Sequence, residues 1–169
     1  MRVYTAEGTG PQTLPDDALL RRYGIDGHYT DCFSRDVQKA LTLADFITAF
    51  YKSGPFIAER FVLSQAANET ITNTDVDALA RGEIEKFGLW DVEERSDDQI
   101  LLKDRIGQTC SWLKVVRRRA GTQLYFGSAV IADSGVLPLR LRLLIGPHRA
   151  YSRILLTAAA KTLAFERLR

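Results

Sequence analysis

Between residues 90 and 131 the sequence takes on a period of two, and this stretch constrains the fold more than any other. Four strand-like runs, 90–94, 99–103, 109–116 and 123–131, follow one another with only Ser96-Asp97-Asp98, Arg105-Ile106-Gly107 and Ala120-Gly121 between them. A parallel crossover needs a dozen or more residues, so links this short dictate antiparallel neighbours. The second half of the chain is therefore expected to be a four-stranded meander.

An earlier run, His28-Tyr29-Thr30-Asp31-Cys32-Phe33, is rich in β-favouring and aromatic residues and reads as a first strand. Helices separate it from the meander. Over 42–53, Thr42 and Asp45 form a short-armed capping box, and Leu43, Phe46, Ile47 and Phe50 make an apolar stripe at i, i+3, i+4, i+7. Gly54 is expected to stop that helix and Pro55 to open a second one running to about residue 65. A third helix is expected over 74–81, ended by Gly82.

The C-terminal region reads as two helical pieces divided at Gly146-Pro147. In the first piece Leu137, Leu139, Leu141 and Leu143 alternate with Arg140 and Arg142, so a strand is the other reading of 136–146. The second piece, from Pro147 to about residue 168, would span about 33 Å and lay Leu155, Leu156, Ala159 and Leu163 on the sheet. Residues 1–27 read as an N-terminal arm containing a short helix over 16–23, and residues 28–169 as a single domain. The order β-α-α-(α)-β-β-β-β-α places the chain in the α+β class, with a curved antiparallel sheet gripping a long C-terminal helix.

A chain of 169 residues, 46% hydrophobic and 26% charged, can bury a full core without metal or disulfide. No uncharged window of membrane-spanning length occurs, and MRVYTAEGTG lacks the apolar core of a secretory signal, so a cytoplasmic location is expected. Cys32 and Cys110 match no metal or redox spacing, and two histidines are too few for a His-rich metal site. Gly8 and Gly10 precede any strand, so they form no dinucleotide fingerprint, and no cofactor is expected. Charge is unevenly placed. Arg140, Arg142, Arg149, Arg153, Lys161, Arg167 and Arg169 face a single acid, Glu166, in the last 34 residues. A basic helix on an acidic body and an anionic partner both fit that asymmetry.

The element order resembles the helix-grip fold of the START-like (SRPBCC-type) superfamily. Tyr29-Thr30-Asp31-Cys32-Phe33, Thr109-Cys110-Ser111-Trp112-Leu113, Leu124-Tyr125-Phe126-Gly127-Ser128-Ala129-Val130 and His148-Arg149-Ala150-Tyr151-Ser152-Arg153 are similar to segments of an uncharacterised bacterial family within it. The resemblance spans about residues 28–165 and implies a cavity for an apolar or amphipathic small molecule or a lipid, with cyclases and hydrolases among the wider superfamily. It transfers no catalytic residues. Five strands are counted where such domains have six or seven, so a further strand is expected near Phe61–Ser64 or Leu137–Leu143, or else a smaller cavity.

Candidate pocket-lining residues are Trp112, Tyr125, Phe126, His148 and Ser152, with Arg149 and Arg153 as an anion-binding rim. His148 and Ser152 stand at i, i+4 on one helix face and could form a base–nucleophile pair if Asp31 or Asp104 oriented the imidazole. Their mutual hydrogen bonding, or bonding to backbone at the helix start, accounts for the same spacing. Arg117-Arg118-Arg119 lacks interleaved aromatics and reads as a solvated hairpin tip, so no nucleic-acid partner is expected. The expected role is non-catalytic binding of an apolar molecule or lipid. An enzyme on the same scaffold and a peripheral membrane contact through the basic C-terminal region are the alternatives.

Overall fold

The computed structural model describes residues 10–57, 70–105, 108–131 and 139–165. Its elements are β1 (Gly10–Pro11), α1 (Arg21–Ile25), β2 (Tyr29–Val37), α2 (Leu43–Tyr51), α3 (Asn73–Arg81), β3 (Lys86–Phe87), β4 (Trp90–Arg95), β5 (Gln99–Asp104), β6 (Thr109–Arg118), β7 (Gly121–Val130) and α4 (Leu139–Phe165). The strands form one open antiparallel sheet in the order β1-β2-β7-β6-β5-β4-β3. The fold is α+β, as the element order implied, and the meander β4–β7 is present with its short turns.

The sheet has seven strands rather than five, because β1 and β3 are two residues each. Two residues carry no readable periodicity, so neither strand left a signal in the sequence. The segment 139–143, one place considered for a further strand, is helical; 61–64, the other, lies outside the described residues.

Helix boundaries follow local chemistry. Thr42 Oγ1 accepts from the Asp45 amide at 3.2 Å while Asp45 Oδ2 accepts from the Thr42 amide at 2.8 Å, closing the expected capping box. An equivalent box, Thr72 with Asp75, starts α3 one residue earlier than expected. Gly82, at φ 72°, turns the chain out of α3, and the Arg95 guanidinium donates to the Leu79 and Ala80 carbonyls at 2.5 and 2.7 Å. The Leu79 carbonyl also accepts from the Gly82 amide at 3.0 Å, so Arg95 adds a second donor there and supplies one to the Ala80 carbonyl in the last turn. Gly54 does not stop α2. The helix ends at Tyr51, and Gly54 opens the next helical turn, which is described to Ile57.

The expected break at Gly146-Pro147 is absent: α4 runs through Pro147 without interruption. A proline withholds one N–H and crowds the carbonyl four residues back, a local cost of about 3 kcal/mol, and it does not forbid helix on both sides.

Both faces of the sheet are covered. Phe33, Ile100, Leu102, Leu113, Leu124 and Phe126 project towards α2, α3 and α4 and join the main core with Phe46, Phe50, Leu79, Leu156 and Ala159. Cys32, Leu101, Cys110, Trp112 and Tyr125 project the other way and pack with Ala18, Leu20 and Tyr23. The N-terminal segment thus lies against the outer face of the sheet. Gln99 ties it there. Its Oε1 accepts from the Leu19 amide (3.0 Å) and Trp112 Nε1 (2.9 Å), and its Nε2 donates to Asp17 O (3.0 Å). Lys114, buried on the same face, adds ion pairs to Asp17 (3.0 Å) and Asp98 (2.5 Å). Gly127 makes the approach possible, since a Cβ there would stand 2.8 Å from Leu20 Cδ2 and 2.7 Å from Asp31 O.

Candidate functional site

Strand pairing builds the site. Asp31 on β2 lies opposite Ser128 on β7, and Ser128 lies opposite Ser111 on β6. All three share the helix-facing side of the sheet with Phe33, Phe126 and Leu113. A row of three polar side chains therefore lies beside the apolar patch of Phe33, Phe126 and Leu113. α4 crosses above it, and its His148 reaches down to the row.

Ser128 is the hub. Its amide and hydroxyl both donate to Asp31 Oδ1, at 3.0 and 2.7 Å, and its Oγ lies 2.8 Å from His148 Nε2. A serine hydroxyl has one hydrogen. With that hydrogen on Asp31, Oγ accepts from His148, which places a proton on Nε2. The His148 Nε2 to Asp31 Oδ2 distance is 4.0 Å, close enough for charge attraction if the ring is protonated. Among the described residues no group bonds His148 Nδ1, and the side chain is 41% exposed.

Tyr29 completes the cluster by donating its hydroxyl to Asp31 Oδ2 at 3.2 Å. Burial first, then the Asp31 charge, raises the phenol's pKa, with Arg149 pulling the other way, so Tyr29 remains a donor. Tyr51 Oη lies 3.5 Å from Ser111 Oγ and extends the polar row beneath α2. Cys32, next to Asp31 but on the outer face, is pushed up to about 12 by burial and then by the Asp31 charge, so it stays a thiol.

The expected site residues divide. Phe126 lies under the helices, its ring 4.8 Å from Phe50, as part of the packed core. Trp112 and Tyr125 sit on the opposite face of the sheet, with rings 6.3 Å apart, and are covered by the N-terminal segment. They do not join His148, because strand parity sends them away from α4. Ser152 is buried and donates to the His148 carbonyl at 3.0 Å, so it serves the helix backbone and is not brought to the imidazole. Arg149 is exposed at the rim, near enough to bias Tyr29. Arg153 is exposed on the outer side of α4. Asp104 accepts from the amides of Gln108 and Thr109 in its own turn and takes no part in the cluster.

Sequence reasoning missed Ser128 and Ser111. The available signal was their alternation: counted in steps of two from Leu124 and Phe126, Ser128 falls on an inward position where an apolar residue is expected.

Three hollows of about 270, 520 and 480 Å³ lie between α2, α3 and the end of α4, along α4 beside Arg35 and Arg153, and beside the N-terminal segment, where Asp31 is among the lining residues. None of these is lined by Phe126, Trp112, Tyr125, His148 or Ser152. Among the described residues no helix is long and apolar enough to cross a membrane, and no cluster of metal-ligating side chains is present.

No protein-family model matches the chain, and no curated protein is similar to it. Among solved structures it is similar to a protein from Mycobacterium smegmatis, at 10% identity over 94% of this chain and 100% of that one, with a TM-score of 0.42. It is also similar to an uncharacterized protein from Rhizobium leguminosarum, at 14% identity over 80% of this chain and 95% of that one, with a TM-score of 0.34. The site is read from its own geometry.

Proposed function

We propose that the protein is a START-like binding domain for an amphipathic small molecule, whose polar head is held by His148 where α4 crosses the sheet. The observation that carries this reading is the relay Asp31–Ser128–His148: Nε2 is anchored, the ring is fixed, and Nδ1 is left as an acceptor at a partly exposed edge. Such a histidine binds a hydroxyl or protonated carboxyl group through Nδ1, and an ionised carboxylate when both ring nitrogens are protonated. Arg149 at the rim favours the acidic head group. The middle of the sheet–helix interface is filled by Phe33, Phe50, Phe126 and Leu156, so the ligand's apolar part belongs at the end of that interface rather than along it.

Native mass spectrometry of freshly purified protein, beside a denatured sample, tests this. A mass excess lost on denaturation and depleted in His148→Ala is expected. An unliganded mass, together with no thermal shift from medium-chain carboxylic acids or alcohols, overturns it.

The same free Nδ1 favours a second, catalytic reading in which His148 takes a proton from a substrate and Asp31 stabilises the imidazolium through Ser128. Ser128 is not the nucleophile in that scheme, because its hydrogen is directed to Asp31 and not to the ring. A fluorophosphonate probe should leave Ser128 unlabelled, and any ester or lactone turnover should vanish in His148→Ala. Undiminished turnover in that variant removes the catalytic reading.

A further inference from the structure

The outer face of α4 combines basic and exposed apolar side chains. Its 27 residues contain Arg140, Arg142, Arg149, Arg153 and Lys161 and no acidic side chain. One side of the helix, Leu155, Leu156, Ala159 and Leu163, is buried in the core. On the opposite side, positions 150, 154, 158, 161 and 165 return to nearly the same direction at 100° per residue. Ile154 and Phe165 on that line are 53% and 82% exposed, two of the four large apolar side chains that stand out in solvent among the described residues.

A hollow of about 520 Å³ runs beside this line. Ala150, Ile154 and Ala158 form its apolar floor, Arg35, Arg153 and Lys161 its walls, and no acidic residue lines it. Arg35 reaches in from β2 and donates to Thr157 at 3.1 Å, which ties a cation from the sheet to the same face. The helix therefore has two apolar sides, one spent on the core and one facing out between positive charges.

We propose that this outer face docks the protein on the surface of an anionic lipid bilayer, lying flat with Ile154 and Phe165 entering the headgroup boundary. The two apolar side chains are about 16 Å apart along the axis, too far to fill one small pocket and well placed to enter one plane. The surrounding Arg and Lys side chains keep their charged ends at headgroup level while their alkyl stems follow the apolar residues inward. An acidic protein would satisfy the charges and leave the two isolated apolar side chains unexplained. Docking of this kind is peripheral and reversible, and independent of whether His148 binds a ligand.

Co-sedimentation of the whole chain with vesicles of phosphatidylcholine, or of phosphatidylcholine with phosphatidylglycerol, tests the proposal. Binding to the anionic vesicles alone is expected, weakening about ten-fold or more when both Arg153 and Lys161 are changed to Glu, and weakening again as salt is raised. Ile154→Ser with Phe165→Ser should weaken it several-fold at unchanged thermal stability, because both side chains are already exposed. Lys161→Glu alone serves if the double charge reversal fails to fold. Equal partition to both vesicles, no partition, indifference to Ile154→Ser with Phe165→Ser, or full competition by soluble phosphate at constant ionic strength each overturns it. The last of these marks a simple anion site.

Discussion

Asp31 and Ser128 face each other across β2 and β7 and are joined twice, since the Ser128 amide and hydroxyl both donate to Asp31 Oδ1. One carboxylate oxygen thus fixes both the backbone register and the rotamer of the serine that receives His148.

Asp31→Ala leaves the buried Ser128 donors without their acceptor and should destabilise the fold by about 1–3 kcal/mol. Asp31→Asn keeps an acceptor oxygen and should cost less, while removing the charge that faces His148. Urea unfolding ranks the two, and an Asn variant as damaged as the Ala variant refutes the hydrogen-bond account.

Much of the architecture was legible because its causes are local. The capping box at Thr42 and Asp45, the stripe through Phe46 and Phe50, and the turn at Ala120-Gly121 depend on residues within one or two turns of each other. The site is different. Asp31 and Ser128 are separated by 97 positions, and which face each occupies depends on the parity of two strands whose pairing is a property of the whole sheet. An error of one residue in phase exchanges Tyr125 for Phe126, and so moves the aromatic wall from one side of the sheet to the other. The unbroken α4 was hidden for another reason: a proline's local cost is readable, whereas the packing of Leu155, Leu156, Ala159 and Leu163 that offsets it is tertiary.

The Lys114 ion pairs give the outer face a pH signature. Burial pulls the Asp98 pKa upward, but hydrogen bonds from Lys114 and Ser96 outweigh it and hold the carboxyl below its ordinary 3.8. A depressed pKa contributes stability that is complete above the unfolded value and disappears as pH falls through the folded one. Asp98→Asn should therefore be less stable at neutral pH by up to about 1 kcal/mol, the carboxylate being half exposed. The gap should begin to close once pH drops below 3.8. Chemical unfolding at several pH values checks this; a gap that widens in acid contradicts the assignment.

Both thiols should be inert in the folded chain. Burial, as the leading cause, pushes Cys32 up to about 12 and Cys110 up to about 11, so neither forms appreciable thiolate at pH 8. Ellman's reagent should react slowly with native protein and with both cysteines after unfolding. Rapid native reaction at either position means that the N-terminal segment does not cover the outer face as described.

That cover has its own test at Gln99, whose side chain makes three hydrogen bonds joining β5, Trp112 and the backbone of residues 17 and 19. Gln99→Leu keeps the volume and removes all three, leaving the indole N–H and the Leu19 amide unpaired in a buried position at a cost of about 1–3 kcal/mol. Stability alone does not separate an unpaired but docked segment from a released one. Trp112 does, because Leu20 packs in the same cluster as its ring and its emission depends on water being kept out. In a Trp90→Phe background, where Trp112 is the remaining indole, release moves the Gln99→Leu emission to longer wavelength and opens residues 12–25 to protease. Unchanged emission with reduced stability assigns Gln99 a purely energetic role and leaves Leu20, Tyr23 and the Lys114 pairs holding the segment in place.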